Sequence, residues 1–277
     1  MGGTANAAQA AHWNDRAGRT WVDLQPLLDR MFAGFVPLLI EPLGPDMRAV
    51  LDIGCGAGAL TLAAAERIGP AARCTGVDIS APLVAAAKSR AVAAGRTGVT
   101  FDVADAQTYS FEAGGFDAVV SRFGVMFFDD PVAAFSNLRR ATRPGGLLRF
   151  AAWRSPQENA FMGVPKRAVG HLVDFPPSEP NAPGQFGFAD RERILGILVD
   201  SGWRDVRIDP VDAPCSIPAG DVLAYGTRMG ALGAVWADLA PSLREEIERL
   251  LRTAFQAYEA DGDIRFTAAC WLARATA

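Results

Sequence analysis

A glycine-rich turn preceded by an aspartate is the part of this chain best suited to chemistry. In the stretch VLDIGCGAGA at 50–59, an apolar run contains Asp52 and leads into three glycines, and the helix-forming segment LTLAAAE follows. Glycines suit such a turn because they adopt positive φ and let a ligand approach the bare backbone. The first N–H groups of the following helix are free to hold an anionic group. The pattern predicts a strand, a tight turn and a helix around a nucleotide-sized pocket.

Two further aspartates follow apolar stretches downstream. GVDIS at 76–80 places Asp78 twenty positions after Gly58, where a carboxylate accepts hydrogen bonds from ribose hydroxyls. VADAQ at 103–107 places Asp105 at the end of a third stretch, where it is suited to contact an adenine amino group. Capping or turn formation is the alternative role for each acid. Three acids at three consecutive strand ends favour a shared ligand.

The glycine pattern alone leaves the ligand open. Gly54, Gly56 and Ala59 also fit the looser fingerprint G-x-G-x-x-G/A, so a nicotinamide-dependent oxidoreductase is an alternative. The presence of Asp52 inside the motif and the Asp105-Ala106 pair argue against that alternative. A protein that binds its cofactor without turnover is a third interpretation.

Five blocks, taken in order and spacing, resemble the class I S-adenosylmethionine-dependent methyltransferases, near the ubiquinone/menaquinone-biosynthesis methyltransferase group. The blocks are VLDIGCGAG at 50–58, GVDIS at 76–80, VADAQ at 103–107, FDAVVSRFGVMFF at 116–128 and LRRATRPGGLL at 138–148. The resemblance covers about residues 45–153. It implies S-adenosyl-L-methionine as cofactor and in-line methyl transfer to a small or medium organic acceptor, with no metal required.

The same resemblance implies which residues hold the cofactor. The glycine-rich turn would contact the methionine part, Asp52 its ammonium group, Asp78 the ribose, and Asp105 the adenine. The end of the fourth strand would line the pocket near the sulfonium. The predicted cofactor-binding residues are Asp52, Gly54, Cys55, Gly56, Ala57, Asp78, Ile79, Asp105, Ala106, Ser121, Arg122 and Phe123.

The catalytic base, if the reaction uses one, is harder to locate. The chain has two histidines, and His171, close to Lys166 and Asp174, is the candidate to deprotonate an acceptor hydroxyl or amine. A surface histidine without a chemical role is the alternative, and it applies equally to His12. Aromatic residues that could face a substrate or pack in the core are Trp153, Tyr225 and Trp236.

Composition limits the possible partners. The 277 residues carry a net charge of −4 without a basic run, so no nucleic-acid partner is expected. The four cysteines are scattered, which disfavours disulfides and a zinc site. The chain shows neither a signal peptide nor an apolar run long enough to span a bilayer. We therefore expect a cytoplasmic protein without a membrane span, with a homodimer as one possible assembly.

Alternating strand and helix patterns predict the α/β class: a doubly wound, Rossmann-like, seven-stranded sheet, mostly parallel, with a helical lid. Strands are expected at 49–53, 73–77, 99–104, 116–121, 146–153, 205–213 and 264–275, and sheet-flanking helices at 58–68, 81–94, 130–141 and 190–201. The family places the last strand antiparallel beside the fifth.

The predicted organisation has an N-terminal helical cap at 1–45 and a methyltransferase domain at 46–277 with lid insertions at 154–189 and 214–263. Apolar residues at helical spacing predict one amphipathic helix over 21–40, which Pro37 kinks or ends. The predicted lid carries many apolar side chains, so we expect a largely apolar acceptor pocket. These side chains are Phe161, Met162, Val164, Phe175, Phe186, Phe188 and Trp236.

Overall fold

A mixed β-sheet forms the centre of the protein. The computed structural model describes residues 6–175, 179 and 181–277, so the first five residues of the predicted cap and Pro176, Pro177, Ser178 and Pro180 of the first insertion lie outside the described residues. The strands are β1 (Ala49–Ile53), β2 (Arg73–Asp78), β3 (Val99–Val103), β4 (Phe116–Arg122), β5 (Thr142–Trp153), β6 (Arg204–Pro218), β7 (Glu259–Ala260) and β8 (Asp263–Thr276).

The strand order confirms the predicted doubly wound topology. The sheet runs β3-β2-β1-β4-β5-β8-β6, and the two-residue β7 pairs only with β8. The pairs β1–β2, β2–β3, β1–β4 and β4–β5 are parallel, whereas β8 is antiparallel to both β5 and β6. All five residues of β1 are buried, as expected of a parallel strand covered on both faces. The glycine-rich turn therefore lies at the centre of the sheet's carboxyl edge, where the strand order reverses.

Helices cover both faces of the sheet and the carboxyl edge of the parallel strands. They are α1 (Ala7–Asn14), α2 (Arg16–Asp23), α3 (Gln25–Met31), α4 (Phe35–Ile40), α5 (Ala59–Ile68), α6 (Ala81–Ala93), α7 (Pro131–Ala141), α8 (Val164–Val169), α9 (Arg191–Asp200), α10 (Val222–Arg228), α11 (Gly230–Val235) and α12 (Pro241–Phe255). The four predicted sheet-flanking helices correspond to α5, α6, α7 and α9 within one residue at each end. The start of α7 is fixed by Asp130, whose carboxylate accepts from the Ala133 N–H at 2.9 Å.

The single helix predicted over 21–40 is wrong, because the segment is divided among α2, α3 and α4. The break before α3 precedes Pro26, which has no backbone N–H with which to continue a helix from α2. The amphipathic pattern nevertheless identified the buried face: Leu28, Met31, Phe35 and Leu39 are all at most 2% exposed. Tertiary packing sets which side chains are buried, and the local backbone decides where the helices end.

Five helices outside the sheet line the same cavity as the carboxyl ends of β1, β2 and β4. These are α1 and α2 near the N-terminus, α8 in the first insertion, and α10 and α11 in the second. Across the part of the chain that the structure describes, no helix combines the length and the apolar character needed to cross a membrane.

Candidate active site

The glycine-rich turn follows β1 and packs backbone against backbone on the segment after β4. Gly54, Gly56 and Gly58 all have positive φ, at 62°, 53° and 84°. A Cβ placed on Gly54 would lie 2.5 Å from Cα of Gly124, closer than any side chain tolerates. Gly124 was not among the predicted site residues. Its only signal in the sequence is its place in the FDAVVSRFGVMFF block, directly after Phe123.

Asp52 is buried at the inner end of the turn. Its Oδ2 accepts a hydrogen bond from the Thr61 hydroxyl at 2.6 Å, while its Oδ1 is buried and has no partner among the described residues. Burial raises the pKa of this carboxyl to about 7, although the Thr61 hydrogen bond and the nearby Arg122 charge oppose the rise. An unpartnered carboxylate oxygen of this kind is suited to a cationic ligand group.

Arg122 ends β4 on the other side of the same pocket. Its Nη2 lies 3.4 Å from Oδ1 of Asp29, and its Nη1 is buried without a partner in the described part of the chain. Burial lowers the pKa of the guanidinium, and the Asp29 carboxylate opposes this shift. Arg90 also pairs with Asp29, at 2.8 Å, and donates to the carbonyl of Ala57 in the glycine turn at 2.6 Å. Sequence reasoning missed Asp29 and Arg90, because each is one charged residue on an amphipathic helix.

Asp78 ends β2 and binds the glycine turn directly. Its Oδ2 accepts from the Gly56 N–H at 2.8 Å, and its Oδ1 accepts from the Ser80 N–H at 2.9 Å. Burial raises the pKa of the Asp78 carboxyl, while these backbone hydrogen bonds oppose that effect. The next residue, Ile79, accepts a hydrogen bond at its carbonyl from the Asn14 side chain at 2.9 Å. The second acid is thus linked both to the turn and to the N-terminal helices.

Asp105 follows β3 with one of its two carboxylate oxygens engaged. Its Oδ1 accepts from the Gln107 N–H at 3.0 Å and from the Asn6 side-chain amide at 3.2 Å. Its Oδ2 is buried and has no partner among the residues that the structure describes. The third acid therefore has a free acceptor, as Asp52 does.

Two adjoining cavities lie along these residues. A small cavity of about 50 Å³ is bounded by the glycine turn, Asp52 and Arg122. A large cavity of about 910 Å³ extends past Asp78 and Asp105. Gly54, Gly56, Arg122 and Phe123 line both, so the two spaces share a wall.

Every predicted cofactor residue except Ser121 lines at least one cavity. Ser121 is fully buried, donates to the carbonyl of Ile53 at 2.7 Å and accepts from the Gly124 N–H at 3.1 Å. Its hydroxyl holds the ends of β1 and β4 together, and Ser121 lines neither cavity. This part of the prediction needs correction, because a polar residue at a strand end serves backbone pairing as readily as binding.

His171 lies on an exposed turn after α8 and lines neither cavity. The structure therefore gives no support to His171 as the catalytic base. His12, on α1, does line the large cavity, and its ring packs edge to face on Trp13 at 5.3 Å.

The wall of the large cavity is mostly apolar and aromatic, but its residues differ from those expected. Of the seven apolar lid residues named from the sequence, only Met162 lines it; the other six pack in or against the core. Trp153 and Tyr225 line the cavity, whereas Trp236 does not. The aromatic and methionine side chains of the wall are Trp13, Trp21, Phe32, Phe123, Met126, Phe127, Phe128, Trp153, Met162, Tyr225 and Met229.

Comparisons with known proteins agree with this geometry. Residues 50–146 match a family described as a methyltransferase domain. A nocamycin O-methyltransferase from Saccharothrix syringae is 28% identical over 239 residues, covering 83% of this chain and 84% of that protein. A demethylmenaquinone methyltransferase from Thermus thermophilus is 38% identical over 114 residues, covering 41% of this chain and 51% of that protein.

The fold also has solved counterparts. A geranyl diphosphate C-methyltransferase from Streptomyces coelicolor aligns with a TM-score of 0.55 at 19% identity, covering 99% of this chain and 98% of that one. That likeness concerns the fold. The matched domain and the nocamycin relative show that residues 50–146 form a methyltransferase domain, and the acids at the strand ends agree with the chain's similarity to the class I S-adenosylmethionine-dependent methyltransferases.

Proposed function

We propose that the protein methylates a small or medium, largely apolar organic molecule held in the large cavity. The observation that carries this proposal is the shared wall at Arg122 and Phe123. The small cavity ends at charged groups suited to an amino acid, and the large one combines two nucleoside-binding acids with an aromatic wall. Its volume of about 910 Å³ is enough for a nucleoside and an acceptor together, since single-ligand pockets begin at about 300 Å³.

The unpartnered polar atoms support specific contacts with the cofactor. Asp52 Oδ1 is placed for the ammonium group and Arg122 Nη1 for the carboxylate of the methionine part. Asp78 holds the ribose hydroxyls, Ile79 packs on the adenine, and Asp105 with the Ala106 N–H contacts the adenine edge. The bare backbone of the glycine turn lies along the part of the cofactor between its methionine end and its adenosine end.

The cofactor supplies a methyl group already activated by the sulfonium. The residues of this chain therefore need only to position the acceptor against that methyl group and to exclude water. Holding the acceptor in line can lower the barrier by about 7–11 kcal/mol. Phe123 lies at the shared wall and Trp153 lines the large cavity, and an aromatic ring face stabilises a nearby positive charge by about 0.5–2 kcal/mol.

Tyr225 is the polar residue best placed to orient the acceptor. It is 7% exposed and lines the large cavity. Burial raises the pKa of its phenol above the ordinary value, so the hydroxyl stays protonated. It therefore acts as a hydrogen-bond donor to an oxygen of the acceptor and not as a base.

Oxygen is the acceptor atom that we propose. The nocamycin relative is named as an O-methyltransferase and spans most of the chain. Within the described residues, neither histidine lies buried beside the cavity to deprotonate a weak acid. An acidic oxygen needs the least help from a base: a carboxylic acid is already ionised near neutral pH, and a phenol or quinol, with a pKa of about 10, loses its proton far more readily than an alcohol.

The test is methyl transfer from labelled S-adenosylmethionine to a panel of apolar phenols, quinols, carboxylic acids and amines. We expect O-methylated products, and the variant Tyr225→Phe should raise the acceptor KM several-fold, about the effect of one lost hydrogen bond. Tyr258→Phe is the matched control, because Tyr258 lines neither cavity. Turnover restricted to highly charged acceptors, or binding of the cofactor without any turnover, would contradict the proposal.

We also propose the cap at 1–45 and the insertions at 154–189 and 214–263 as the cover of this site. Placement in the cytoplasm is supported by four buried cysteines that are all free thiols. A homodimer stays a prediction, for which sedimentation of the purified protein is the test.

A further inference from the structure

Two buried oxygen acceptors without partners belong to neighbouring residues at the edge of the large cavity. One is Oδ2 of Asp105 and the other is the side-chain oxygen of Asn6, which is only 4% exposed. Both residues line the large cavity. A buried acceptor that finds no donor destabilises the folded protein, so two of them beside one cavity indicate a ligand group that donates two hydrogen bonds.

The position of Asn6 is fixed by other contacts. Its backbone N–H donates to Oδ2 of Asp129 at 2.7 Å, and its side-chain Nδ2 donates to Oδ1 of Asp105 at 3.2 Å. The second bond sets the orientation of the amide, because turning it over would bring an oxygen against the Asp105 carboxylate. Its φ of 60° is left-handed, which asparagine accepts better than most residues.

We propose that Asn6 completes the adenine pocket, its side-chain oxygen and Asp105 Oδ2 each accepting one N–H of the cofactor's exocyclic amino group. This inference rests on the proposed cofactor placement. An amino group carries two N–H donors at divergent angles and satisfies both acceptors without burying a further charge. Asn6 lies outside the resemblance at 45–153, and its role comes from its contacts in the structure.

The N-terminal helices are linked to the same site at a second point. Asn14 donates to the Ile79 carbonyl at 2.9 Å and accepts from the Ala81 N–H at 2.8 Å. The Ser80 hydroxyl donates to the carbonyl of Trp13 at 2.7 Å. These bonds lie beside Asp78, where the ribose is proposed to bind, and Asn6 lies beside Asp105, where the adenine is proposed to bind. The N-terminal segment therefore contacts the protein at both parts of the proposed nucleoside site. Nucleoside binding and the position of this segment are therefore coupled.

The test compares S-adenosylhomocysteine with S-inosylhomocysteine, in which an oxygen replaces the amino group, by calorimetry on the full chain. The variant Asn6→Gly removes the side chain and suits the left-handed backbone. We expect it to weaken binding of the adenine ligand about 3- to 10-fold and that of the inosine ligand little, which lowers the discrimination. Asn181→Gly is the matched control, because Asn181 is also left-handed, at φ 63°, but does not line the cavity.

The outcomes separate this inference from the function on which it rests. Equal weakening of both ligands by Asn6→Gly, or no change in either, would overturn the inference and leave the methyltransferase proposal intact. Failure of the wild-type protein to bind either ligand would overturn the cofactor placement and the role of Asn6 together.

Discussion

Phe123 and Trp153 stack face to face, with ring centroids 4.3 Å apart and an angle of 12° between the planes. Phe123 does so with φ 67°, in the left-handed region that a residue with a Cβ occupies at a cost of about 1–2 kcal/mol. Its N–H donates to the Ala151 carbonyl at 3.1 Å. The stack on β5 therefore holds the end of β4 in an unfavourable backbone conformation, at the wall shared by both cavities.

Replacing Trp153 should affect both stability and binding. We expect Trp153→Ala to lower the free energy of unfolding by about 3–5 kcal/mol, the usual cost of a large buried aromatic, and to weaken S-adenosylhomocysteine binding because Phe123 loses its support. Trp153→Phe keeps a ring for the stack and should lose less of both. Urea denaturation and calorimetry measure the two effects. Unchanged affinity in a folded Trp153→Ala protein would contradict a role for the stack at the site.

Gly124 should tolerate no side chain. A Cβ there would lie 2.6 Å from both the Cα of Gly54 and the carbonyl oxygen of Ile53, which are backbone atoms unable to move aside. We expect Gly124→Ala to displace the glycine turn and reduce cofactor affinity at least about tenfold, which corresponds to about 1.4 kcal/mol. Gly196→Ala is the control: it meets nothing within 4 Å inside α9 and should raise stability by up to about 1 kcal/mol.

Gly18 should be needed for the N-terminal helices to dock. A Cβ there would lie 2.0 Å from the Trp13 carbonyl oxygen and 2.7 Å from the Ser80 hydroxyl. We expect Gly18→Ala to loosen α1 and α2 and to speed tryptic cleavage after Arg16 or Arg19. Gly220→Ala, with open space around its Cβ, should leave the cleavage rate unchanged. Added S-adenosylhomocysteine should slow cleavage of the wild-type chain; no protection would argue against coupling of this segment to the nucleoside.

Cofactor binding should release a proton at mildly acidic pH. The pKa of Asp52 is raised to about 7, so below that value the free protein holds a proton that a bound ammonium group displaces. Affinity for S-adenosylhomocysteine should rise with pH, by up to about tenfold per unit below 7, and level off above it. Calorimetry in buffers of different ionisation enthalpy measures the release, and Asp52→Asn should abolish most of it. A pH-independent affinity would contradict the contact.

The same raised pKa sets a stability trend in the free protein. Between about pH 4 and 7 the unfolded chain has lost the Asp52 proton while the folded protein retains it, so the free energy of unfolding should fall as pH rises. Above about 7 both states are ionised and this contribution is constant. Denaturation curves of the wild type and Asp52→Asn across this range give the difference. A wild type and variant with parallel curves would rule out burial of a protonated Asp52.

The sequence allowed the sheet and the cofactor edge to be predicted because their signals are local. Asp52, Asp78 and Asp105 each follow an apolar stretch, and parallel strands bring their carboxyl ends to one edge. Asn6, Asp29 and Gly124 act through contacts between distant segments, and no spacing rule relates them to the turn. Six of the seven apolar lid residues named from the sequence do not line the large cavity, because hydrophobicity predicts burial but not which buried surface adjoins a ligand.

The position of β8 between β5 and β6 has a consequence for synthesis on the ribosome. Because β8 follows β6 in the chain, β6 emerges before the strand that joins it to the rest of the sheet. Once β5 has formed, the backbone N–H and C=O groups on its outer side have no partner strand. They stay exposed until residues 263–276 are synthesised and form β8 between β5 and β6. During that interval the unfinished edge is open to pairing with another chain, which makes chaperone binding most useful at that stage of translation.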